Sequence, residues 1–397
     1  MPTGHADPAL DALLLPVAQG VLPWPDSGPA ASPHTLFLRA RAGEALRPYA
    51  DRGLLAVQSF RPEADALRGM DVAVAGPGHE AAAGDDASAD AQGITIGAHA
   101  FQRVLVLPPR QRDEARALLA RAVRACAPGG VVIAAQANDA GAKSGQTDLQ
   151  ALAGLDGQQS KYHSRVFWTR IDAARVDADL LQAWAALDAP RRIEDARFPG
   201  GGFVSRPGVF AWDRVDAASA LLAAHLPATL SGRVADLGAG VGYLSAVLLQ
   251  RCAGLRALDL YEAEARALDL ARANLARANL ARVNLAPVDL APALARANTA
   301  EPPTLGFHWH DVAAGLPRSD YDAVVMNPPF HALGHGDRPD IGRAFIAAAA
   351  AALHRGGQLW LVANRHLPYE DLLRARFTEV RSVAQADGYK VIAAVAA

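Results

Sequence analysis

Two successive α/β units, each a mostly parallel sheet flanked by helices, are what the 397-residue sequence predicts. Three observations lead there. Short apolar runs alternate with helical patterns at Thr35–Leu38, Leu54–Val57, 72–75, 104–107 and 131–135, and the alternation resumes beyond residue 200. A run at 234–237 enters the turn Gly238-Ala239-Gly240-Val241-Gly242, and a helical pattern follows (Tyr243, Leu244, Val247, Leu248). A Pro-Pro exit from an apolar run occurs twice, Pro108-Pro109 and Pro328-Pro329, each followed by a Gly-Gly pair, Gly129-Gly130 and Gly356-Gly357. The spacing is 21 residues in the first case and 28 in the second, which a longer loop accounts for. A chain this long suggests two domains of about 150 to 200 residues. The expected boundaries are 1–190, a Pro- and Gly-containing linker at 191–202, and 203–397.

The chemistry is concentrated in the second unit. Glycines at 238, 240 and 242 permit positive φ and let a ligand approach the backbone at a helix N-terminus. The spacing departs from the dinucleotide fingerprint because Tyr243 stands where its last glycine would. A second apolar run, 255–261, ends at Glu262, and an acid at that strand tip can accept both ribose hydroxyls of an adenosine. A third run, 306–310, ends at Asp311, placed to take an exocyclic adenine amine. The strand Tyr321–Met326 exits through Asn327-Pro328-Pro329-Phe330. Two prolines fix their own φ and remove two N–H donors, so nearby carbonyls stay rigid. The Asn327 side-chain oxygen and the Pro328 carbonyl can then accept both hydrogens of one planar amine, with Phe330 as a flat partner for its ring.

In order on consecutive strands, these pieces resemble the class I S-adenosylmethionine-dependent methyltransferases, and the Asn-Pro-Pro-Phe tetrad resembles those that methylate planar amino nitrogens. The stretches Gly356-Gly357-Gln358-Leu359-Trp360-Leu361-Val362-Ala363-Asn364-Arg365-His366-Leu367-Pro368-Tyr369, Val209-Phe210 and Arg214-Val215-Asp216-Ala217-Ala218-Ser219 narrow the resemblance. They are similar to the bacterial ribosomal RNA guanine-N2 methyltransferases of the small subunit, or their large-subunit relatives. The similarity is closest over about 200–397. It implies two tandem Rossmann-like methyltransferase folds, the N-terminal one degenerate and the C-terminal one a seven-stranded, mostly parallel sheet. It further implies that Asp236, Gly238, Ala239, Gly240, Glu262, Asp311 and Asn327 bind S-adenosylmethionine, and that Asn327, Pro328, Pro329 and Phe330 hold the base. The partner implied is ribosomal RNA or a ribosomal subunit, with the first domain supporting the second and helping to dock RNA. Competing readings are an amino methyltransferase acting on protein glutamine or DNA adenine, and a non-catalytic RNA-binding assembly protein.

The first unit keeps the alternation without the chemistry. Leu107 stands where Asn327 does and Arg110 where Phe330 does, and Leu36-Phe37-Leu38-Arg39-Ala40-Arg41-Ala42-Gly43 lacks the glycine spacing for a nucleoside. A formal net charge of −2 is no basic footprint, so any RNA contact must be a local patch. Candidate patches are Arg110, Arg112, Arg116, Arg121 and Arg124 in the first unit and Arg338, Arg343 and Arg365 near the second site, although an Arg run also reads as a solvated face. Two cysteines suit a reducing compartment. Without a basic start or an 18-residue apolar span, a cytoplasmic protein off the membrane, with a monomer as the default, is the expectation. His308, His310 and Asp311, and His331, His335 and Asp337, lack metal-site spacing, so no metal is expected. Asp/Asn-Leu pairs recur every five residues from Asp269 to Leu290. A helix after Glu262, lengthened by sequence expansion, fits them better than a pentapeptide β-helix, which five repeats cannot close around a core. The stretch 76–93 reads as a Gly/Ala/Asp-rich loop.

Overall fold

The computed structural model describes residues 7–25, 33–75, 97–284, 302–329 and 339–397, with side chains given for all of these except 278–284. The chain divides into two compact units, Met1–Ala189 and Pro190–Ala397. The first is built on one sheet of β1 (Thr35–Leu38), β2 (Leu54–Val57), β3 (Ala73–Ala75), β4 (Phe101–Val106), β5 (Cys126–Ala137), β6 (Gly157–Lys161) and β7 (Ser164–Arg170). Its strand order is β3-β2-β1-β4-β5-β7-β6, parallel except where β7 pairs with β5 and β6.

The second unit begins with a short antiparallel pair, β8 (Arg191–Glu194) and β9 (Gly202–Ser205), which lies across the stretch expected as a linker. Its sheet holds β10 (Gly232–Leu237), β11 (Leu255–Glu262), β12 (Thr304–Trp309), β13 (Tyr321–Met326), β14 (Leu353–Asn364), β15 (Phe377–Ala386) and β16 (Tyr389–Ala396). The order β12-β11-β10-β13-β14-β16-β15 repeats that of the first sheet strand for strand, again with an antiparallel edge. The expected tandem of two such folds is what the chain adopts.

Register makes the duplication residue-specific. Leu38 pairs with Val106 in the first sheet as Leu237 pairs with Met326 in the second. Leu38 pairs with Val57 as Leu237 pairs with Tyr261. Phe101 pairs with Cys126 as Tyr321 pairs with Leu353, and in both sheets the register slips immediately after that pair. Phe37 therefore occupies the place of Asp236, Arg39 that of Gly238, Gln58 that of Glu262 and Leu107 that of Asn327. Arg39 keeps the left-handed backbone of the lost glycine, φ 55° against 72° at Gly238. Gln58 is buried and turned inward, donating to the Ala40 carbonyl at 2.5 Å and accepting from Phe60 N–H at 2.8 Å. The scaffold survives where the ligand chemistry does not.

In the second sheet, alternate residues of β13 feed two cores. Ala323 and Val325 pack with Val234 on one face, and Val324 and Met326 with Ala235 and Leu237 on the other. Burial on both faces explains why β13 reads as a continuous apolar run rather than an alternating one. After β10 the chain runs outward to β11 and β12, then returns to the other side of β10 as β13. The crevice at such a reversal, outside the carboxyl ends of the strands, is where open α/β sheets bind ligands.

Candidate active site

Both motifs leave the sheet at that reversal. Leu237 and Met326 are paired, so the glycine turn and Asn327 follow from adjacent strand ends. A Cβ added at Gly238 would lie 3.9 Å from the Asn327 carbonyl oxygen. The turn is pinned by Gly238 N–H and Ala239 N–H, which both donate to the Tyr261 carbonyl at 2.9 and 3.2 Å. Gly238, Gly240 and Gly242 have φ of 72°, 54° and 87°, a region L residues enter only at a cost. A Cβ at Gly240 would meet no atom within 4 Å, so the turn fronts open space.

Asp236 is wholly buried below the turn. Its Oδ2 accepts from Ser245 N–H at 3.1 Å and Ser245 Oγ–H at 2.7 Å. The helix Tyr243–Arg251 starts after Gly242, which has no side chain to cap it, so Asp236 caps it from the neighbouring strand. Its other oxygen, Oδ1, is buried without a partner among the described residues. Burial pushes the Asp236 carboxyl up to about 7, against the two Ser245 bonds that favour the anion and with the charge of Glu262 adding to the rise.

Glu262, at the end of β11, accepts from Gly240 N–H at 2.8 Å through Oε2 and from Glu264 N–H at 2.8 Å through Oε1. Burial raises its carboxyl above the ordinary range, opposed by the N–H donors of Glu264 and Gly240. The backbone N–H of Ala263 also favours the anion, and a carboxylate's remaining acceptor capacity is available to a ligand hydroxyl. The Glu262 carbonyl accepts from His310 N–H at 3.0 Å, which brings the end of β12 alongside. Asp311 follows there, half-buried, with Oδ1 accepting from Ala313 N–H at 2.9 Å. Trp309 donates from Nε1 to the Ala263 carbonyl at 2.8 Å, closing the same edge.

Asn327 is held from a distance. Its Nδ2 donates to Asp216 Oδ2 and to Ser219 Oγ, both at 2.9 Å, while its Oδ1 is buried and has no partner among the described residues. Pro328 is buried and Pro329 exposed. Phe330 lies outside the described residues, as do His331, His335, Asp337 and Arg338. Asp216 and Ser219 entered the sequence reading only as part of a similar stretch, because they stand 111 and 108 residues from Asn327. A second residue missed as functional is Asn274, buried on the helix Ala265–Asn284. Its Nδ2 donates to the Val204 and Val241 carbonyls at 3.0 and 2.9 Å, and its Oδ1 accepts from Val204 N–H at 2.7 Å. It thereby ties β9 to the glycine turn. The only signal for it was an Asn in a helical pattern after Glu262, masked by its repeats.

The histidines have internal uses: His308 faces Asp259 at 3.4 Å, and His310 the Gly315 carbonyl at 2.5 Å. In the first unit Arg112 and Arg116 pair with Asp148 and Arg121 with Asp188, leaving Arg110 and Arg124 exposed to solvent. Much of that expected patch is thus structural.

The glycine turn, the acid at the tip of β11 and the Asn-Pro-Pro exit from β13, brought together at the reversal of this sheet, make the arrangement of a class I methyltransferase. The family described as "Methyltransferase small domain" matches residues 200–300 and 280–393. A ribosomal RNA small subunit methyltransferase C from Pseudomonas aeruginosa (strain UCBPP-PA14) is 30% identical over 295 residues, 74% of this chain and 79% of that one. The homonymous protein of Shewanella amazonensis is 35% identical over 188 residues, a match that spans 47% of either chain. A T. thermophilus 16S rRNA N2 methyltransferase, solved with AdoMet and guanosine, has the same fold over 100% of this chain and 93% of its own, with a TM-score of 0.73 at 23% identity. The chain belongs to the ribosomal RNA small subunit methyltransferase C family.

Proposed function

We propose that this protein transfers the methyl group of S-adenosylmethionine to the exocyclic N2 amine of a guanine in small-subunit ribosomal RNA. The observation that carries the reading is the Asn327 amide, whose donors are engaged and whose buried oxygen has no hydrogen-bond partner among the described residues. A buried acceptor without a partner costs free energy unless a ligand supplies the hydrogen. The relatives' names and the neighbour's bound guanosine support an amine of a base as that ligand.

The residues fit the cofactor. The open space over Gly240, the Asp236 Oδ1 without a partner among the described residues and the Glu262 carboxylate suit a nucleoside carrying cationic groups. Asp236, Gly238, Ala239, Gly240, Glu262, Asp311 and Asn327 would hold it. When bound, its sulfonium supplies a methyl group already activated for transfer.

What remains for the protein is alignment and charge. The guanine N2 lone pair is delocalised into the ring, so the amine is planar and a weak nucleophile. Asn327 Oδ1 and the Pro328 carbonyl accept its two hydrogens, favour pyramidalisation and offset the positive charge that develops on nitrogen. Phe330 stacks the base, which must leave its helix or come from an unpaired loop. Orientation within the crevice lowers the barrier further by holding the reacting atoms in line.

Within the same proposal, residues 1–190 support the catalytic domain at 203–397 and help to dock RNA, with exposed Arg110 and Arg124 available to phosphates. A monomer is the proposed state. The two buried free cysteines, Cys126 and Cys252, suit the cytoplasm. No described helix is long and apolar enough to cross a membrane. Methyl transfer from labelled cofactor to 16S rRNA, 23S rRNA and assembled subunits, with nucleoside analysis of the product, is the test. The expected product is N2-methylguanosine in small-subunit RNA. Label in adenine or in protein glutamine, or in no substrate, would refute the reading.

A further inference from the structure

We propose that Asp216 and Ser219 are positioning residues that fix the rotation of the Asn327 amide, and thereby make the methyl-accepting position select an amine over a carbonyl. The inference deepens the proposed function and rests on it. A primary amide presents an acceptor on one side and two donors on the other. Turned by half a revolution, Asn327 would offer donors to the substrate and reward a keto oxygen. Nothing within Asn327 decides between the two.

Its neighbours do. An ionised carboxylate only accepts hydrogen bonds, and Asp216 Oδ2 lies 2.9 Å from Nδ2. The reversed amide would set its carbonyl oxygen against that carboxylate with no proton between them, in a half-buried position where like partial charges are poorly screened. Ser219 Oγ, also 2.9 Å from Nδ2, occupies the second donor. Asp216 is itself immobilised. It is the N-cap of the helix Ala217–His225, with Oδ2 accepting from Ser219 N–H at 2.8 Å. One helical start therefore delivers the carboxylate and the hydroxyl to the same point.

The arrangement has an electronic consequence. Donation from Nδ2 to a carboxylate polarises the amide and raises the electron density on Oδ1. The methyl-accepting nitrogen gains positive charge only as the methyl arrives. The charge on Asp216 is thus felt more strongly in the transition state than in the bound ground state, which places its effect in kcat rather than KM.

The test measures kcat and KM for small-subunit RNA, cofactor Kd and melting temperature on the full chain. Asn327→Ala should cut kcat by about 100-fold or more, as loss of a charge-stabilising group does. Asp216→Ala should cost a similar factor, and Ser219→Ala roughly 3- to 10-fold, with cofactor Kd changed far less than kcat. Asp216→Asn keeps a good N-cap and an oxygen in place but no charge. It should recover most of the Asp216→Ala loss at an unchanged melting temperature, yet fall several-fold short of the wild type in kcat. Combined with Asn327→Ala, neither Asp216→Ala nor Ser219→Ala should lower the rate further, because their effect passes through the missing amide. Near-normal transfer by Asn327→Ala would remove the amine clamp itself, and this inference with it. If Asn327→Ala is inactive while Asp216→Ala and Ser219→Ala stay within twofold of wild-type kcat, or their losses add in full to that of Asn327→Ala, the clamp stands and the positioning role is overturned. A loss in Asp216→Ala that follows melting temperature alone would assign that residue to the helix cap only. Should Asp216→Ala not fold, Ser219→Ala and Asp216→Asn decide.

Discussion

A carboxylate sealed away from water, with one oxygen committed to Ser245 and the other to no described residue, gives Asp236 two roles that pull in opposite directions. Its folded value of about 7 lies above that of an unfolded carboxylate. Between about pH 4 and pH 7 the folded protein holds a proton that the unfolded chain has already released, so this group's contribution to stability falls as pH rises through that window. In thermal unfolding without cofactor, the drop in midpoint between pH 5.5 and pH 8 should be smaller for Asp236→Asn than for the wild type. A cationic ligand favours the ionised form. Cofactor binding to the wild type should therefore strengthen as pH rises through 7 and release a proton, measurable by calorimetry in buffers of differing ionisation heat, and Asp236→Asn should abolish the release. Asp236, Glu262, Asp311 and Asn327 were legible because Asp236 interrupts an apolar run and the others follow one, where a polar residue needs a reason to be. The partners of Asn327 were not, because a hydrogen bond spanning 111 residues leaves no trace in local spacing.

At the scale of the element, the helix Ala265–Asn284 resolves the five-residue repeat as far as Asn284; the remainder lies outside the described residues. Each step of five turns an α-helix by about 140° beyond a full revolution, so successive Asn-Leu pairs face different ways. Asn274 points inward and Asp269 out to solvent, though the sequence presents them alike. Periodicity identified the helix but could not say which turn met the glycine loop, since that depends on the packing of Ala271 and Leu275 beneath Gly242. Replacing Asn274 with Ala would break three hydrogen bonds and strand buried backbone groups of Val204 and Val241. At about 1 kcal/mol for each bond, and more where a buried group is left unpaired, denaturant unfolding should report a loss of roughly 3 kcal/mol. Cofactor affinity should weaken beyond what the stability loss alone explains, because the glycine turn would lose its support. An unchanged Kd in folded Asn274→Ala protein would separate the helix from the site.

Across the whole molecule, one strand order is used twice and equipped once. Pro-Pro and Gly-Gly exposed the duplication in the sequence; what replaced each ligand group emerged only from register, because Phe37 and Gln58 are unremarkable among apolar and polar neighbours. With Phe37, Arg39, Gln58 and Leu107 at the four key places, the full chain should bind one cofactor per molecule. Glu262→Ala combined with Asp236→Ala should remove all binding, and residual stoichiometric binding in a titration of that double variant would mean that the first sheet retains a site. Repetition at this fidelity also carries a folding hazard. With β1 and β10 sharing a register against their central neighbours β4 and β13, either strand could pair with the other's neighbour during synthesis, and tandem copies are prone to such exchange. Divergence guards against it: a swapped β10 would bring the Asp236 carboxylate to the fully buried place that the Phe37 ring now fills, where an ionisable group is costly.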